Sequence, residues 1–168
     1  MTIRVRKLEP GDDRTGFRSG NVDLDRFFAR YAGQNQFRHH IGATYIALGE
    51  DPELILGYAT VAPSELDLDA LPPAQRKGLP KHPLPVLRLA RLAVDERAQG
   101  RGIGTELLRA ITELVEQLAR SVGCWGLVVD AKPEAVRFYE KLGFVGLEHS
   151  GGGLGDRPEP TPMVLPLT

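Results

Sequence analysis

A chain of 168 residues, 42% hydrophobic and 26% charged, with a formal net charge of −1, has the makeup of one soluble globular domain. The single cysteine, Cys124, excludes an internal disulfide framework and a cysteine-based zinc cluster. No apolar run approaches the ~20 residues that span a bilayer, and the arginine-bearing start lacks the apolar stretch of a signal peptide, so a cytoplasmic protein is expected.

The overall charge argues against indiscriminate binding of nucleic acid, which needs a broad excess of Lys and Arg. The average hides an asymmetry. Residues 50–69 carry six acids and no Lys or Arg, whereas residues 76–109 carry eight bases against three acids. A local anionic partner is compatible with that second stretch.

In chain order, residues 2–7 alternate with Ile3 and Val5 on one side, the period of a half-buried strand. Asp23 can cap a helix whose face holds Leu24, Phe27, Phe28 and Tyr31. Residues 43–48 and 54–61 are β-rich runs joined by turn chemistry, which predicts a hairpin. Residues 63–85 hold six prolines and are expected to cross the surface with short helical pieces.

Residues 86–94 read as an apolar strand interrupted by Arg88 and Arg91, running into a polar, glycine-rich stretch at 95–104. An amphipathic helix follows over 105–120, with Leu107, Leu108, Ile111, Leu114, Val115 and Leu118 as its stripe, Glu116 and Arg120 spaced to pair, and Gly123 at its end. Residues 124–130 make the next apolar strand, and Pro133 opens a short helix with the stripe Ala135, Phe138, Tyr139 and Leu142, terminated by Gly143. Phe144 starts another strand, residues 151–155 and the prolines after them read as a long hairpin loop, and a last strand falls near 163–167. No repeat and no interdomain linker is visible, so residues 1–168 are expected to form a single domain.

The strongest chemical signal is Gln99-Gly100-Arg101-Gly102-Ile103-Gly104, set between a strand and a helix. Glycines allow a sharp turn that points backbone N–H groups inward, and a helix N-terminus built this way can hold a pyrophosphate. Taken alone, the same residues suit a tight turn with no ligand equally well. The spacing is not Gly-x-Gly-x-x-Gly, and no Lys-Ser or Lys-Thr follows for a P-loop.

The loop does fit Arg/Gln-x-x-Gly-x-Gly/Ala, and with "LARLAVDERAQGRGIGTELL" and "AVRFYEKLGF" the stretch 89–144 resembles the GNAT superfamily of N-acetyltransferases. From Phe17 onward, "FRSGNVDLDRFFARYAGQNQ", "ATYIAL" and "PLPVLRLARLAV" resemble the tRNA-acetylating toxins of bacterial toxin-antitoxin pairs. The resemblance implies an α/β fold with a mixed, mostly antiparallel sheet, a central parallel strand pair splayed apart and helices on both faces. It also implies acetyl-CoA as donor and no metal. Coenzyme A would contact Leu92, Ala93 and Val94 on the strand, Gln99, Gly100, Arg101, Gly102, Ile103, Gly104 and Thr105 on the loop, and Ala135 and Phe138 on the later helix. The partners implied are aminoacyl-tRNA, a small antitoxin protein and a second copy of the chain, with no membrane.

By pattern alone Tyr139 is a core aromatic; the resemblance makes it the acid that protonates the departing thiolate. A phenol of pKa ~10 protonating a thiolate whose acid has pKa ~8.5 works uphill by roughly 2 kcal/mol, so rapid reprotonation or a hydrogen bond short of full transfer is required. No carboxylate lies in 86–94 to serve as base. Either water relays the proton or the amine arrives mostly neutral; an α-amine of pKa about 7.7–8.0 is substantially neutral at pH ~7.5, a lysine amine near ~10.4 hardly at all, so the missing base favours an α-amine acceptor. Attack on the thioester develops an oxyanion, for which backbone N–H groups near Leu92 to Val94 are the expected donors.

Arg76, Lys77, Lys81, Arg91 and Arg137 are the candidate contacts to an acceptor stem. Their alternatives are a solvated surface or ion pairs with the acidic 50–69 segment. Arg91 stands out because a charge in an apolar strand needs a partner or a task. The four histidines, His39, His40, His82 and His149, lack ligand spacing and read as surface or packing residues, and Cys124 as a small buried hydrophobe. Two other functions remain compatible with the residues: acetylation of a small amine or a protein N-terminus, and a non-catalytic domain that binds coenzyme A or a partner.

Overall fold

The computed structural model describes residues 2–148 and 159–167. The expected loop at 151–155 and His149 lie outside them. Among the described residues seven strands form one sheet: β1 Arg4–Lys7, β2 Ala43–Leu48, β3 Ile55–Leu66, β4 Leu84–Val94, β5 Gly126–Ala131, β6 Val145–Gly146 and β7 Thr161–Pro166. Their spatial order is β1-β2-β3-β4-β5-β7-β6, with β4 and β5 parallel and the sheet therefore mixed. The helices are α1 Val22–Arg26, α2 Pro73–Arg76, α3 Ile103–Ser121 and α4 Val136–Lys141. Parallel neighbours need a long crossover, and α3 lies in the one between β4 and β5. The chain divides into two compact units, Met1–Ala62 with Leu89–Leu114, and Pro63–Arg88 with Val115–Thr168.

In the first unit, α1 is capped by Asn21 rather than Asp23: the Asn21 side chain accepts the Leu24 N–H at 3.1 Å from an extended backbone. Asp23 falls in the first helical turn. The helix then runs on through wider π-helical turns at Phe27–Tyr31 and Gln34–His39. That change of pitch corrects the expected face. Phe27 and Phe28 are buried and Leu24 packs beside them, but the wider turn rotates Tyr31 outward to 46% exposure.

Phe28 stacks on Tyr58 with centroids 4.3 Å apart, and Phe17 meets both rings edge-on at 5.0 and 5.5 Å. The Tyr58 hydroxyl donates to the Leu24 carbonyl at 2.7 Å, fastening α1 to β3. Burial pushes the Tyr58 phenol far above its usual range. Antiparallel pairing of β2 with β3 confirms the hairpin, and Thr44 faces Thr60 across it with hydroxyls 2.8 Å apart. Buried Gln36 ties the end of the helical segment to the sheet, donating to the Leu8 carbonyl and accepting the Thr44 N–H.

In the second unit, residues 63–83 run from the end of β3 through a 3-10 turn at Leu68–Ala70 and then α2, the short pieces that their five prolines permit. Leu66, Leu71, Leu84, Val86, Val128 and Val164 form its core. β7 lies between β5 and β6, antiparallel to both. It passes so close to β5 that a Cβ on Gly126 would stand 2.6 Å from the Leu165 carbonyl oxygen.

Within α3, Ile103, Leu107, Leu108, Ile111 and Val115 are buried while Leu114 and Leu118 are half-buried. The Glu116–Arg120 pair does not form; the ion pair on this helix joins Arg109 to Glu106 at 3.1 Å. Gly123 and Gly143 follow α3 and α4 with φ +98° and +100°, as the sequence predicts.

Candidate active site

The loop that leaves β4 is built by two glycines in the left-handed region, Gly100 at φ +78° and Gly102 at φ +80°. From Gln99 through Thr105 no backbone N–H is donated to any acceptor among the described residues. The first donor beyond them is Glu106, whose N–H reaches the Gly102 carbonyl at 3.1 Å and begins the helical ladder of α3. This unspent run opens a helix of 19 residues, so loop geometry and helix dipole point the same way, toward an anion. Nothing lies within 4 Å of where a Cβ would stand on Gly100 or Gly102. The residues fit a pyrophosphate.

The approach of α3 to the sheet depends on Gly57 in β3. A Cβ there would meet the Ile103 side chain at 2.8 Å, the Ala93 carbonyl at 3.0 Å and Leu107 at 3.1 Å. Ala93 is buried and Leu92 and Val94 are half-buried.

Asp95 was missed as a functional candidate, yet it fixes the loop. It is only 1% exposed, and its carboxylate accepts the N–H groups of Arg18 and Arg97 together with the Arg97 guanidinium at 2.8 and 3.1 Å. Burial pushes its pKa up, but these hydrogen bonds outweigh that, and the group is held below the usual carboxylate range. A carboxylate so occupied is no base, which keeps the β4 region without one. Gln99 is a second brace: its side chain donates to the Ser19 and Val94 carbonyls, leaving its main chain to the loop. The Glu96 N–H closes the clasp on the Arg18 carbonyl at 2.8 Å. The available signal was positional, an aspartate directly after a strand and two residues before an arginine, the pattern of a side chain capping its own turn.

In the second unit, Tyr139 lies on α4 at 6% exposure, its ring edge-on to Phe138 at 5.1 Å and to Phe144 at 5.2 Å. Both readings of the sequence meet here, since the ring packs as a core aromatic while the hydroxyl has no hydrogen-bond partner among the described residues. Burial pushes the phenol up to about 12. Half-buried Ala135 ends the 3-10 turn at Pro133–Ala135 that leads into α4, and Phe138 is half-buried beside the tyrosine.

The basic candidates separate. Arg91, in the first unit, lays its guanidinium carbon 3.6 Å above the Phe27 ring centre, so an aromatic face is its partner in the apolar strand. In the second unit Arg76 and Lys81 line a cavity of about 940 Å³ with His82, Asp67, Asp69 and Glu148, and no two of these charges come within ion-pair distance. Lys77 and Arg137 are exposed on α2's C-terminal side and on α4. None of the five pairs with the acidic 50–69 segment among the described residues; Arg88 instead pairs with Asp130 at 3.1 Å. His39, His40 and His82 are exposed, and Cys124 is half-buried. Among the described residues no group of His, Cys, Asp or Glu is placed to hold a metal, and no helix is long and apolar enough to cross a membrane.

Residues 42–146 match the family model described as "Acetyltransferase (GNAT) domain". A protein of Mycobacterium tuberculosis (strain ATCC 25618 / H37Rv) described as "tRNA-acetylating toxin" is 35% identical over 140 residues, 83% of this chain and 82% of that one. A "Probable glucosamine 6-phosphate N-acetyltransferase 2" of Oryza sativa subsp. japonica is 30% identical over 149 residues, 86% of this chain and 82% of that one. Among solved structures, "AtaT complexed with acetyl-methionyl-tRNAfMet" superposes with a TM-score of 0.86 at 28% identity, covering 98% of this chain and 95% of the other. "AtaTR bound with AcCoA" does so with a TM-score of 0.77 at 29% identity, covering 98% and 93%.

Proposed function

We propose that this chain, which belongs to the GNAT family of acetyl-CoA-dependent N-acetyltransferases, acetylates the α-amino group of aminoacyl-tRNA as the toxin of a toxin-antitoxin pair. The observation that carries the donor half of this reading is the run of undonated N–H groups from Gln99 through Thr105 at the mouth of α3. In it Gln99, Gly100, Arg101, Gly102, Ile103, Gly104 and Thr105 hold the pyrophosphate of coenzyme A, and Leu92, Ala93 and Val94 offer backbone groups to the acyl arm and the developing oxyanion. Ala135 and Phe138 flank the cofactor, which supplies an acetyl group activated as a thioester.

Tyr139 is assigned the acid. At a pKa of about 12 it is fully protonated at neutral pH and is always a donor. Full transfer to a thiolate whose acid has pKa ~8.5 would be uphill by roughly 5 kcal/mol, so its contribution is a hydrogen bond to the sulfur that strengthens as charge develops.

The acceptor half rests on what β4 lacks. With no carboxylate on the strand and Asp95 spent on its loop, either water relays the proton or the amine arrives largely neutral, and an aminoacyl ester's α-amine suits the second route. The relative from Mycobacterium tuberculosis and the solved complex with acetyl-methionyl-tRNA support the same acceptor. Arg76, Lys77, Lys81, Arg91 and Arg137 are assigned to RNA phosphates; a small antitoxin and a second copy of the chain are the proposed protein partners. The relative described as a glucosamine 6-phosphate N-acetyltransferase favours a second reading, a small amine as acceptor. Transfer of radiolabelled acetyl to charged tRNA, uncharged tRNA and glucosamine 6-phosphate separates them. Label on charged tRNA alone is the expected result, and label on the amino sugar with none on charged tRNA would replace the first reading by the second.

A further inference from the structure

Residues 26–49 contain no aspartate or glutamate, although the chain as a whole carries 22 acids against 21 Lys and Arg. The same stretch holds Arg26, Arg30, Arg38, His39 and His40. Its helical part buries Phe27, Phe28, Ala32 and Gln36 and turns Arg30, Tyr31, Gln34, Phe37 and Arg38 to the outside. Tyr31 is 46% exposed and Phe37 38%, large rings left uncovered on a segment that also exposes Arg30 and Arg38. Arg26 pairs with Asp23 at 3.5 Å, whereas Arg30 and Arg38 make no ion pair and no side-chain hydrogen bond among the described residues.

The backbone under this face is unusual as well. Two π-helical turns succeed each other, and the segment ends on His40 in the left-handed region at φ +54°, the one described non-glycine residue at positive φ. Conformations of this kind carry an energetic cost and concentrate where a surface is used.

We propose that this face, Arg30, Tyr31, Phe37 and Arg38, binds RNA, the two arginines on backbone phosphates and the two rings as platforms for unstacked bases. The inference rests on the reading of aminoacyl-tRNA as acceptor and adds to it a contact surface in the first unit that none of the five basic candidates occupies. Phosphate answers an acid-free arginine pair, and a stacking base answers an exposed ring on the same short segment. A symmetric contact with a second copy would bring the same cationic face against itself.

The test is binding of fluorescein-labelled uncharged tRNA by anisotropy over about 0.05–0.3 M salt. The parent is compared with Arg30→Ala/Arg38→Ala, Arg30→Lys/Arg38→Lys and Tyr31→Ala/Phe37→Ala. The alanine pair of arginine variants is expected to weaken binding tenfold or more at about 0.1 M salt and to make the log–log salt slope shallower by about 1.5–2. The lysine pair restores the slope, which a merely structural role would not do. The aromatic pair weakens binding with the slope kept. Affinity and slope indifferent to the arginines overturn the proposal, and so does a parent that does not bind tRNA. A change in mass by light scattering with tRNA affinity unmoved also overturns it, making the face a contact between copies. If the parent binds tRNA through these arginines yet transfers no acetyl group to charged tRNA, the acceptor reading fails and the face stands. Transfer with affinity indifferent to Arg30 and Arg38 does the reverse.

Discussion

Replacing Asp95 by alanine removes the acceptor of four hydrogen bonds at once: the N–H groups of Arg18 at 3.1 Å and Arg97 at 3.0 Å, and two nitrogens of the Arg97 guanidinium. The guanidinium side chain is 58% exposed and regains water, so its share of the loss is small. The two backbone donors lose their partner where the surroundings are part-buried, at about 1–3 kcal/mol each, and water entering the vacated space brings the total to about 3 kcal/mol. The pH dependence follows from the sign of the shift. Asp95 has its folded-state pKa below the unfolded value of ~3.9, so its stabilisation is fully present above that value and is lost as pH falls through the folded one. Urea unfolding at pH 7 is therefore expected to show the full deficit, and the gap between parent and variant to close under acid conditions. Because the same carboxylate and the Arg18–Ser19 segment hold the loop, acetyl-CoA affinity measured by calorimetry should fall about tenfold, and Asp95→Asn, keeping one acceptor oxygen, should fall between. An alanine variant with the parent's urea midpoint at pH 7 would refute the claim that this side chain fixes the loop.

Tyr139→Phe should keep acetyl-CoA binding and lose at least about tenfold in turnover, since it deletes one hydroxyl and none of the ring contacts with Phe138 and Phe144. Its folded pKa of about 12 lies above the unfolded ~10, so the parent should lose up to roughly 2–3 kcal/mol between pH ~10 and ~12 that the variant retains, read by urea midpoints in that range. Gly57→Ala puts a methyl 3.0 Å from the Ala93 carbonyl and 2.8 Å from Ile103, and since backbone cannot yield cheaply, a loss of about 1–3 kcal/mol is expected by thermal unfolding; an unchanged midpoint would mean that β3 and α3 tolerate separation.

The parts of this fold that could be read from sequence are those where one local pattern decides the outcome. The hairpin of β2 and β3, the stripe of α3 and the glycine ends of α3 and α4 each follow from period or from φ, and each lies where it was expected. The misplacements have a common physical source. Asn21 and Asp23 are both competent caps, and the choice was made by Asp25, which takes the Ser19 N–H and hydroxyl and so sets where the chain turns into α1. Tyr31 left its face because a π-turn adds a residue to the period, and a pattern of i, i+3, i+4 carries no record of that. The site shows the same division: the glycine loop was legible through its motif, whereas Asp95 acts through Arg18, 77 residues away, a contact that only the folded chain brings about.

Net charge alone decides little about the proposed RNA contact. A net charge of −1 argues against RNA only if the charges act as one sum, and at physiological salt the screening length is about 8 Å, so a phosphate responds to the side chains nearest it. Five of the 22 acids are spent on arginines of their own: Asp12 with Arg6, Asp23 with Arg26, Asp95 with Arg97, Glu106 with Arg109, and Asp130 with Arg88. Six other carboxylates lie together at 50–69, while Arg30 and Arg38 stand on the segment 26–49 that has none. An association driven by such a local field has a steep salt dependence without needing a basic protein, because its slope counts the phosphates met and not the net charge brought to them.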